Sequence, residues 1–290
     1  MGNKDTFFSK KRTINCRGTL IDFNQPKVMG ILNITPDSFY DGGKYSTPEQ
    51  ILEKAETMIS DGADILDIGA YSSRPGAQHI SEEEELNRLI PVVETIRKNI
   101  PRAIISIDTF RAEIARIMIE NYEADIINDI SGGDMDDKMF ETIALLKVPY
   151  IIMHMQGTPQ TMQQSAIYND VVRDILFSFS KKIDKLTLLG VNDIIIDPGF
   201  GFAKTIDHNY ELLSRLEEFK IIELPLLAGL SRKSMIYKTL ETSPDNALTG
   251  TIALNMVALQ KGADILRVHD VGEAKEVITI FLRLDANSNA

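Results

Sequence analysis

Charged and amide side chains recur in this chain at one kind of place, directly after a short apolar run. Asp67 follows Ile65-Leu66, Asp108 follows Ile104–Ile107, and Asn128 with Asp129 follows Ile126-Ile127. Asp197 follows Ile194–Ile196, and Arg267, His269 and Asp270 close the run that starts at Ile265. The first run, 28–34, carries Asn33; the fifth leads to His154 and Gln156, and the seventh to Ser231, Arg232 and Lys233. Taken singly, an Asp or Asn after a strand is an ordinary helix cap. Eight of eight runs ending this way is harder to explain by capping. Carboxylates beside β-branched residues are half-buried and need partners. The cations on offer are Lys233, Arg74, Arg267 and those of a ligand. Asp, Asn and Lys offer acceptors and a donor to a planar, amide-like heterocycle. Arg74, Arg267, His269 and Ser73, with amides from Gly-rich turns, suit a phosphate or pyrophosphate. Asn33 and nearby carboxylates could hold Mg²⁺, which favours oxygen ligands, waters and substrate phosphates. A heterocycle bearing a diphosphate leaving group is the coherent reading, although residue types alone do not name the heterocycle.

Something must carry these side chains to one place. Eight apolar runs, at 28–34, 65–68, 104–107, 125–130, 150–155, 194–196, 226–230 and 265–268, alternate with segments of helical period. Thr47-Pro48-Glu49-Gln50 and Ser81-Glu82-Glu83-Glu84 carry capping-box patterns before two of the helices. Pro91 predicts a kink or second start within the helix after Ser81. Further helices are expected at 111–121, 136–146, 169–189, 210–218, 233–239, 245–261 and 272–284. Eight strands and intervening helices predict a single parallel (β/α)8 TIM barrel with a short N-terminal hairpin at 14–22. The segments GADILD (62–67), EADIIN (123–128) and GADILR (262–267) support it, since each enters a strand alike and delivers a polar residue at the same offset. GVNDIIID (190–197) is a longer variant. A doubly wound open sheet is the rival, but its G-x-G-x-x-G turn after the first strand is absent. The domain reading is a polar tail at 1–13, a barrel at 14–284 and a tail at 285–290.

A net charge of −11 argues against non-specific nucleic-acid binding, which needs a basic surface. The one cysteine, Cys16, cannot form an intrachain disulfide, and a reducing, cytoplasmic compartment is the expectation. No apolar run approaches the about 20 residues that span a bilayer, so no membrane partner is expected.

Read in order, GILNITPDSFYDGG, DIGAYSSRPGA, SIDT, INDISGG, MHMQGTP, IDPGFGFAKT, GLSRKSMI and RVHDV resemble the motifs of the dihydropteroate synthase family, over roughly residues 28–270. The resemblance implies a pterin-binding TIM barrel, a homodimer, and a transferase of folate biosynthesis. That enzyme condenses 6-hydroxymethyl-7,8-dihydropterin diphosphate with 4-aminobenzoate, with Mg²⁺, giving 7,8-dihydropteroate and diphosphate. It implies a pterin pocket of Asp108, Asn128, Asp197 and Lys233, with Asp67, Met153 and Gly229 among the substrate-binding positions. Arg74, Arg267, His269 and Asn33 would hold the diphosphate and its metal, Asn33 being the metal ligand. Ser73, Pro75, Phe202, Lys204 and Ser231 would surround the aminobenzoate, where the family also binds sulfonamide analogues. Asp108, Asp197, Lys233, Arg267 and His269 would carry the catalysis. One departure stands out. Many members read G-G-E-S-T-R-P-G, whereas this chain reads Gly69-Ala70-Tyr71-Ser72-Ser73-Arg74-Pro75-Gly76, with Tyr71 in place of an acid.

The expected mechanism is early C–O cleavage to a pterin cation, with loops 35–46 and 70–79 closing to exclude water. Two rivals remain open. A methyl-transferring or non-catalytic pterin-binding barrel shares the Asp/Asn pocket but has no need of the SRPG loop or the RVHD strand end. An aldolase-type barrel would want a Schiff-base lysine inside a strand, whereas Lys233 stands at a helix start.

Overall fold

The computed structural model describes residues 11–34, 47–72, 79–162 and 166–288. Strands β1 (Thr13–Cys16) and β2 (Thr19–Asp22) form the expected antiparallel hairpin. Its two turn residues, Arg17 and Gly18, both have positive φ, the backbone form that matches the twist of the flanking strands.

Eight parallel strands follow: β3 (Lys27–Asn33), β4 (Ile65–Gly69), β5 (Ile105–Asp108), β6 (Ile126–Asp129), β7 (Tyr150–Met153), β8 (Ile194–Asp197), β9 (Leu227–Ala228) and β10 (Ile265–Val268). They pair in the order β8-β7-β6-β5-β4-β3-β10-β9. A single parallel bridge between Ile196 and Leu226 links the two outer strands, so the sheet curls into a nearly closed barrel. Nine helices among the described residues surround it: α1 (Pro48–Ser60), α2 (Glu82–Asn99), α3 (Ala112–Tyr122), α4 (Met139–Leu146), α5 (Val171–Leu188), α6 (Ile206–Ser214), α7 (Ser234–Thr239), α8 (Leu248–Gln260) and α9 (Val271–Ser288). None is long and apolar enough to cross a membrane.

Local chemistry sets most of these boundaries. Thr47 and Gln50 make the reciprocal capping bonds before α1. Ser81 makes only its half, because Glu84 turns its carboxylate to Arg88 at 2.8 Å. Pro91 does not split α2, which runs unbroken from Glu82 to Asn99. A Thr205–His208 capping box starts α6 four residues before the expected 210, and a 3₁₀ turn, Leu216–Ile222, continues where a helix to 218 was expected. α9 extends through Ser288, so most of the expected tail at 285–290 is helical. Residues 1–10 of the N-terminal tail lie outside the described residues.

Side-chain alternation divides each strand into two faces. Outward residues such as Leu66, Ile107, Ile127 and Leu266 pack under the helices. Inward residues at the strand starts, Met29, Ile65, Ile126, Ile151, Ile195, Leu227 and Ile265, join Ile14, Cys16, Ile21 and Phe23 of the hairpin segment. The hairpin is therefore the plug of the barrel's N-terminal end. The repeated Ala-Asp step has its own task there. Asp64, Asp125 and Asp264 each accept the backbone N–H at the neighbouring strand's start, from Val28, Ile105 and Leu226, at 2.8 Å in each case. Asp193, the equivalent in the longer variant, accepts from Asn15 in the hairpin at 3.2 Å.

Candidate active site

The same inward parity that puts Ile65 and Ile126 in the floor puts Asp67, Asp108, Asn128, Asp197 and Arg267 above it, at the C-terminal ends of β4, β5, β6, β8 and β10. Side chains that are 61 to 200 residues apart in sequence therefore meet. Arg267 is the hub. Its Nε donates to Asp67 Oδ2 at 2.6 Å and its Nη2 to Asp108 Oδ2 at 2.7 Å. Asn128 Nδ2 donates to the same Asp67 oxygen at 3.0 Å. Asp67 thus orients both the arginine and the amide. Its other oxygen, Oδ1, is buried with no partner among the described residues, and so is the Ser106 hydroxyl on the paired position of β5. Buried orphans of this kind cost about 1–3 kcal/mol each unless a ligand or water satisfies them.

The electrostatics follow from burial. Asp108 is pushed up to about 7 by desolvation, against the pull of Arg267 and with Asp67 adding to the rise. Burial also raises Asp197, opposed by Lys233 and by the Gly199 N–H that donates to its Oδ1 at 2.8 Å. For Arg267, burial alone would favour the neutral form, but Asp67 and Asp108 outweigh it and keep the guanidinium firmly charged. Lys233 is brought down to about 8 by desolvation, with Asp197 pulling the other way. Its ammonium donates to the Phe200 carbonyl and lies 4.9 Å from the centre of the Phe202 ring.

Gly229 faces this group without a side chain. A Cβ there would stand 3.6 Å from Lys233 Nζ and 4.0 Å from Asp197 Oδ2. Met153 pairs in register with Asp197 and is buried. The loop after β8 owes its shape to Gly199, with φ +74, where a Cβ would fall 2.1 Å from the His154 carbonyl oxygen.

Beyond the strand ends, Ser231 and His269 form a couple. The His269 backbone N–H donates to Ser231 Oγ at 3.2 Å, and that oxygen lies 3.0 Å from His269 Nδ1. This pairing occupies Nδ1 and leaves Nε2 as the ring nitrogen turned from Ser231. Burial, helped by Arg267, lowers His269 to about 4, so the ring is neutral at pH 7. Arg232, next to Ser231, turns away with φ 54 and grips Asp270 through Nε at 2.9 Å and Nη2 at 2.8 Å. Two adjacent rungs thus tie the loop after β9 to the loop after β10.

Lys204 and Ser231, named for the aminobenzoate, both have partners within the chain. Positive φ at Gly199, Gly201 and Ala203 curls the loop, and the buried Lys204 ammonium donates to Gly199 O at 2.9 Å and Phe202 O at 3.0 Å. Desolvation brings it down to about 7, and it sits 3.3 Å from His154 Nδ1, whose own value burial drops to about 2. The Ser231 contact is the one with His269 described above. Tyr71, the departure from the family pattern, is buried, and its hydroxyl accepts from Gln160 Nε2 at 2.9 Å. Asp129 faces outward and fixes the loop after β6, accepting from the Ser131 and Gly133 amides and the Tyr150 hydroxyl. Ser73, Arg74 and Pro75, and loop 35–46, lie outside the described residues.

Mg²⁺ can be tested against the donors present. No group of three or more His, Cys, Asp or Glu converges to hold a metal among the described residues. Asn33 stands at the inward end of β3, its Oδ1 3.6 Å from where a Cβ on Gly69 would lie, beside Asp108. One amide oxygen at the pocket rim fits a Mg²⁺ held mainly by substrate phosphates and water, not a structural metal.

In sequence and fold the chain is similar to known proteins. Residues 29–269 match the pterin binding enzyme family. The dihydropteroate synthase of Haemophilus influenzae is 43% identical over 272 residues, covering 93% of this chain and 97% of the relative. The crystal structure of the Yersinia pestis dihydropteroate synthase with a sulfonamide drug superposes with a TM-score of 0.89 at 41% identity, over 94% of this chain and 99% of that one. The Xanthomonas albilineans enzyme with 4-aminobenzoic acid gives 0.88 at 36% identity, over 95% and 98%. With a family model matched over most of its length and relatives this similar, the chain belongs to the dihydropteroate synthase family of pterin binding enzymes.

Proposed function

We infer that this chain condenses 6-hydroxymethyl-7,8-dihydropterin diphosphate with 4-aminobenzoate to give 7,8-dihydropteroate and diphosphate. The observation that carries the reading is the buried, under-satisfied cluster of Asp67, Asp108, Asn128, Asp197 and Lys233 around Arg267, on the barrel of a dihydropteroate synthase relative.

In the proposed reaction the pterin lies flat against Met153. Asp197 accepts two N–H bonds from its 2-amino and N3 edge, and Lys233 donates to a ring oxygen or nitrogen. The CH₂–O bond breaks first and diphosphate leaves with the electron pair. Positive charge spreads into the electron-rich ring, where Asp108 and Asp197 face it across a dry pocket, and fixed charges act strongly in such surroundings. Arg267 and neutral His269 face the departing diphosphate. Because Asp67 and Asp108 hold Arg267, the cation-facing and anion-facing halves form one network. The aniline lone pair then attacks the CH₂, and the new ammonium gives its proton to solvent or to the departed diphosphate. No strong base is needed. Mg²⁺ bound through Asn33 and the phosphates would neutralise charge on the leaving group. Family resemblance supports a homodimer, and the buried thiol of Cys16 suits a reducing, cytoplasmic setting.

The test is direct. Purified chain, Mg²⁺, dihydropterin diphosphate and radiolabelled 4-aminobenzoate should yield labelled dihydropteroate, and no labelled product would overturn the assignment. Labelled pyrophosphate should also exchange into the pterin substrate without aminobenzoate. Lack of both exchange and slow hydrolysis would point to direct displacement.

A further inference from the structure

The loop after β4 departs from the family pattern at Tyr71, and this side chain joins more of the site's frame than its position suggests. Tyr71 is 9% exposed. Its hydroxyl accepts from Gln160 Nε2 at 2.9 Å and lies 3.1 Å from His79 Nδ1. Its ring meets Phe110 edge-on, with centroids 5.0 Å apart and planes at 90°. The Arg111 guanidinium sits 5.7 Å from the Tyr71 ring centre and 5.0 Å from that of Phe110. Arg111 also donates to Ile80 O at 2.6 Å and pairs with buried Glu85, which accepts from Thr109 Oγ1 at 2.7 Å. One side chain thus touches three strand-end loops: its own, the loop after β5 through Phe110 and Arg111, and the loop after β7 through Gln160. The apolar cluster it anchors includes Ile130 and Met153, with Phe202 at its edge. Met153 and Phe202 border the pocket, beside Asp197 and Lys233 respectively.

We propose that Tyr71 is a positioning residue for the pterin pocket: it bolts the loops after β4, β5 and β7 together and thereby holds the Met153 wall at a fixed distance from Asn128 and Asp197. The proposal rests on the pterin-condensing reading above. A flat ring is gripped only if its walls keep their spacing, so loosening the bolt weakens pterin capture while the groups that act on the C–O bond stay in place.

Steady-state kinetics of Tyr71→Ala, Tyr71→Phe and Gln160→Ala, beside the unaltered chain, test this. Tyr71→Ala should raise KM for the pterin diphosphate at least about fivefold, with kcat and the aminobenzoate KM within about twofold. Tyr71→Phe and Gln160→Ala should each raise the pterin KM by a smaller factor, and the double variant should add little to either, since both break the same bond. A lower Tm with an unchanged pterin KM would reduce Tyr71 to a structural residue and overturn the proposal. If Tyr71→Ala does not fold, unchanged KM in both Tyr71→Phe and Gln160→Ala overturns it equally. An inactive unaltered chain would instead sink the functional reading. Calorimetric titration with 6-hydroxymethylpterin would then decide the bolt by itself: weaker binding in the variants supports it, equal binding ends it.

Discussion

Both ends of the barrel carry buried carboxylates, and they are treated in opposite ways. At the N-terminal end one oxygen of Asp125 accepts from Ile105 N–H and Arg97 Nη2, each at 2.8 Å, and Arg17 Nη1 stands 4.0 Å from the other. Asp64 and Asp264 receive strand N–H bonds in the same manner. At the C-terminal end Asp67 keeps an orphan oxygen, and burial holds Asp108 and Asp197 above the usual carboxylate range. The repeat GADILD holds both kinds three residues apart, Asp64 serving the fold and Asp67 the site. Stability is banked at the plugged end, and the open end gives some up to keep preorganised acceptors for a ligand.

Four experiments would break or sharpen that contrast. The largest effect is expected from Arg267→Ala, which leaves Asp67 and Asp108 facing each other without their shared cation. Removing one partner of such a group costs about 3–5 kcal/mol, towards the lower figure because the Arg267 and Asp108 side chains each keep 18% of their surface accessible. Urea unfolding would measure it, and an unchanged midpoint would show that the charges relax into water. Next, Asp197→Asn should lose at least ~2–3 kcal/mol of transition-state stabilisation, read from kcat/KM, while Tm holds or rises because a costly buried charge is gone. Turnover within about tenfold of the unaltered chain would remove Asp197 from its proposed role. At the other end, Asp125→Ala should do the reverse. It orphans the Ile105 N–H and costs about 1–3 kcal/mol of stability, with kcat/KM near the unaltered value. A marked activity loss there would mean that the two ends are coupled.

The fourth effect is a slope. Burial pushes Asp108 up to about 7 in the folded chain, from an ordinary 3.8. Between those values the folded state holds a proton that the unfolded chain has released, so this group lowers stability as pH rises from about 4 to 7. His269, lowered to about 4, contributes the opposite sign up to its ordinary 6.5. Asp108→Asn should therefore gain in Tm relative to the unaltered chain as pH climbs across that window. A constant difference would show that Asp108 is ionised throughout.

Much of this was legible beforehand, for physical reasons. β-branched runs between capped amphipathic segments force a parallel barrel, and in a parallel barrel every strand delivers its last residue to the same face. That is why Asp67, Asp108, Asn128, Asp197 and Arg267 could be grouped from order alone, and why the hairpin and eight strands fell close to their expected places. Helix starts were less legible where the cap used an unusual partner, as with His208 before α6, or where a continuous apolar face overrode Pro91 in α2. Side-chain partners beyond the strands were not legible. Lys204 bonds the carbonyls of a curled loop and Ser231 pairs with His269, contacts that no spacing in the sequence announces. Tyr71 reads as a departure from the family, and only packing reveals it as a bolt between three loops. The chain's own order determined which end of the barrel holds the chemistry, because strand polarity and alternation are local rules. Which of the groups gathered there remain under-satisfied, and so available to a ligand, was decided by the tertiary structure, because hydrogen-bond partners distant in sequence meet only when the barrel closes.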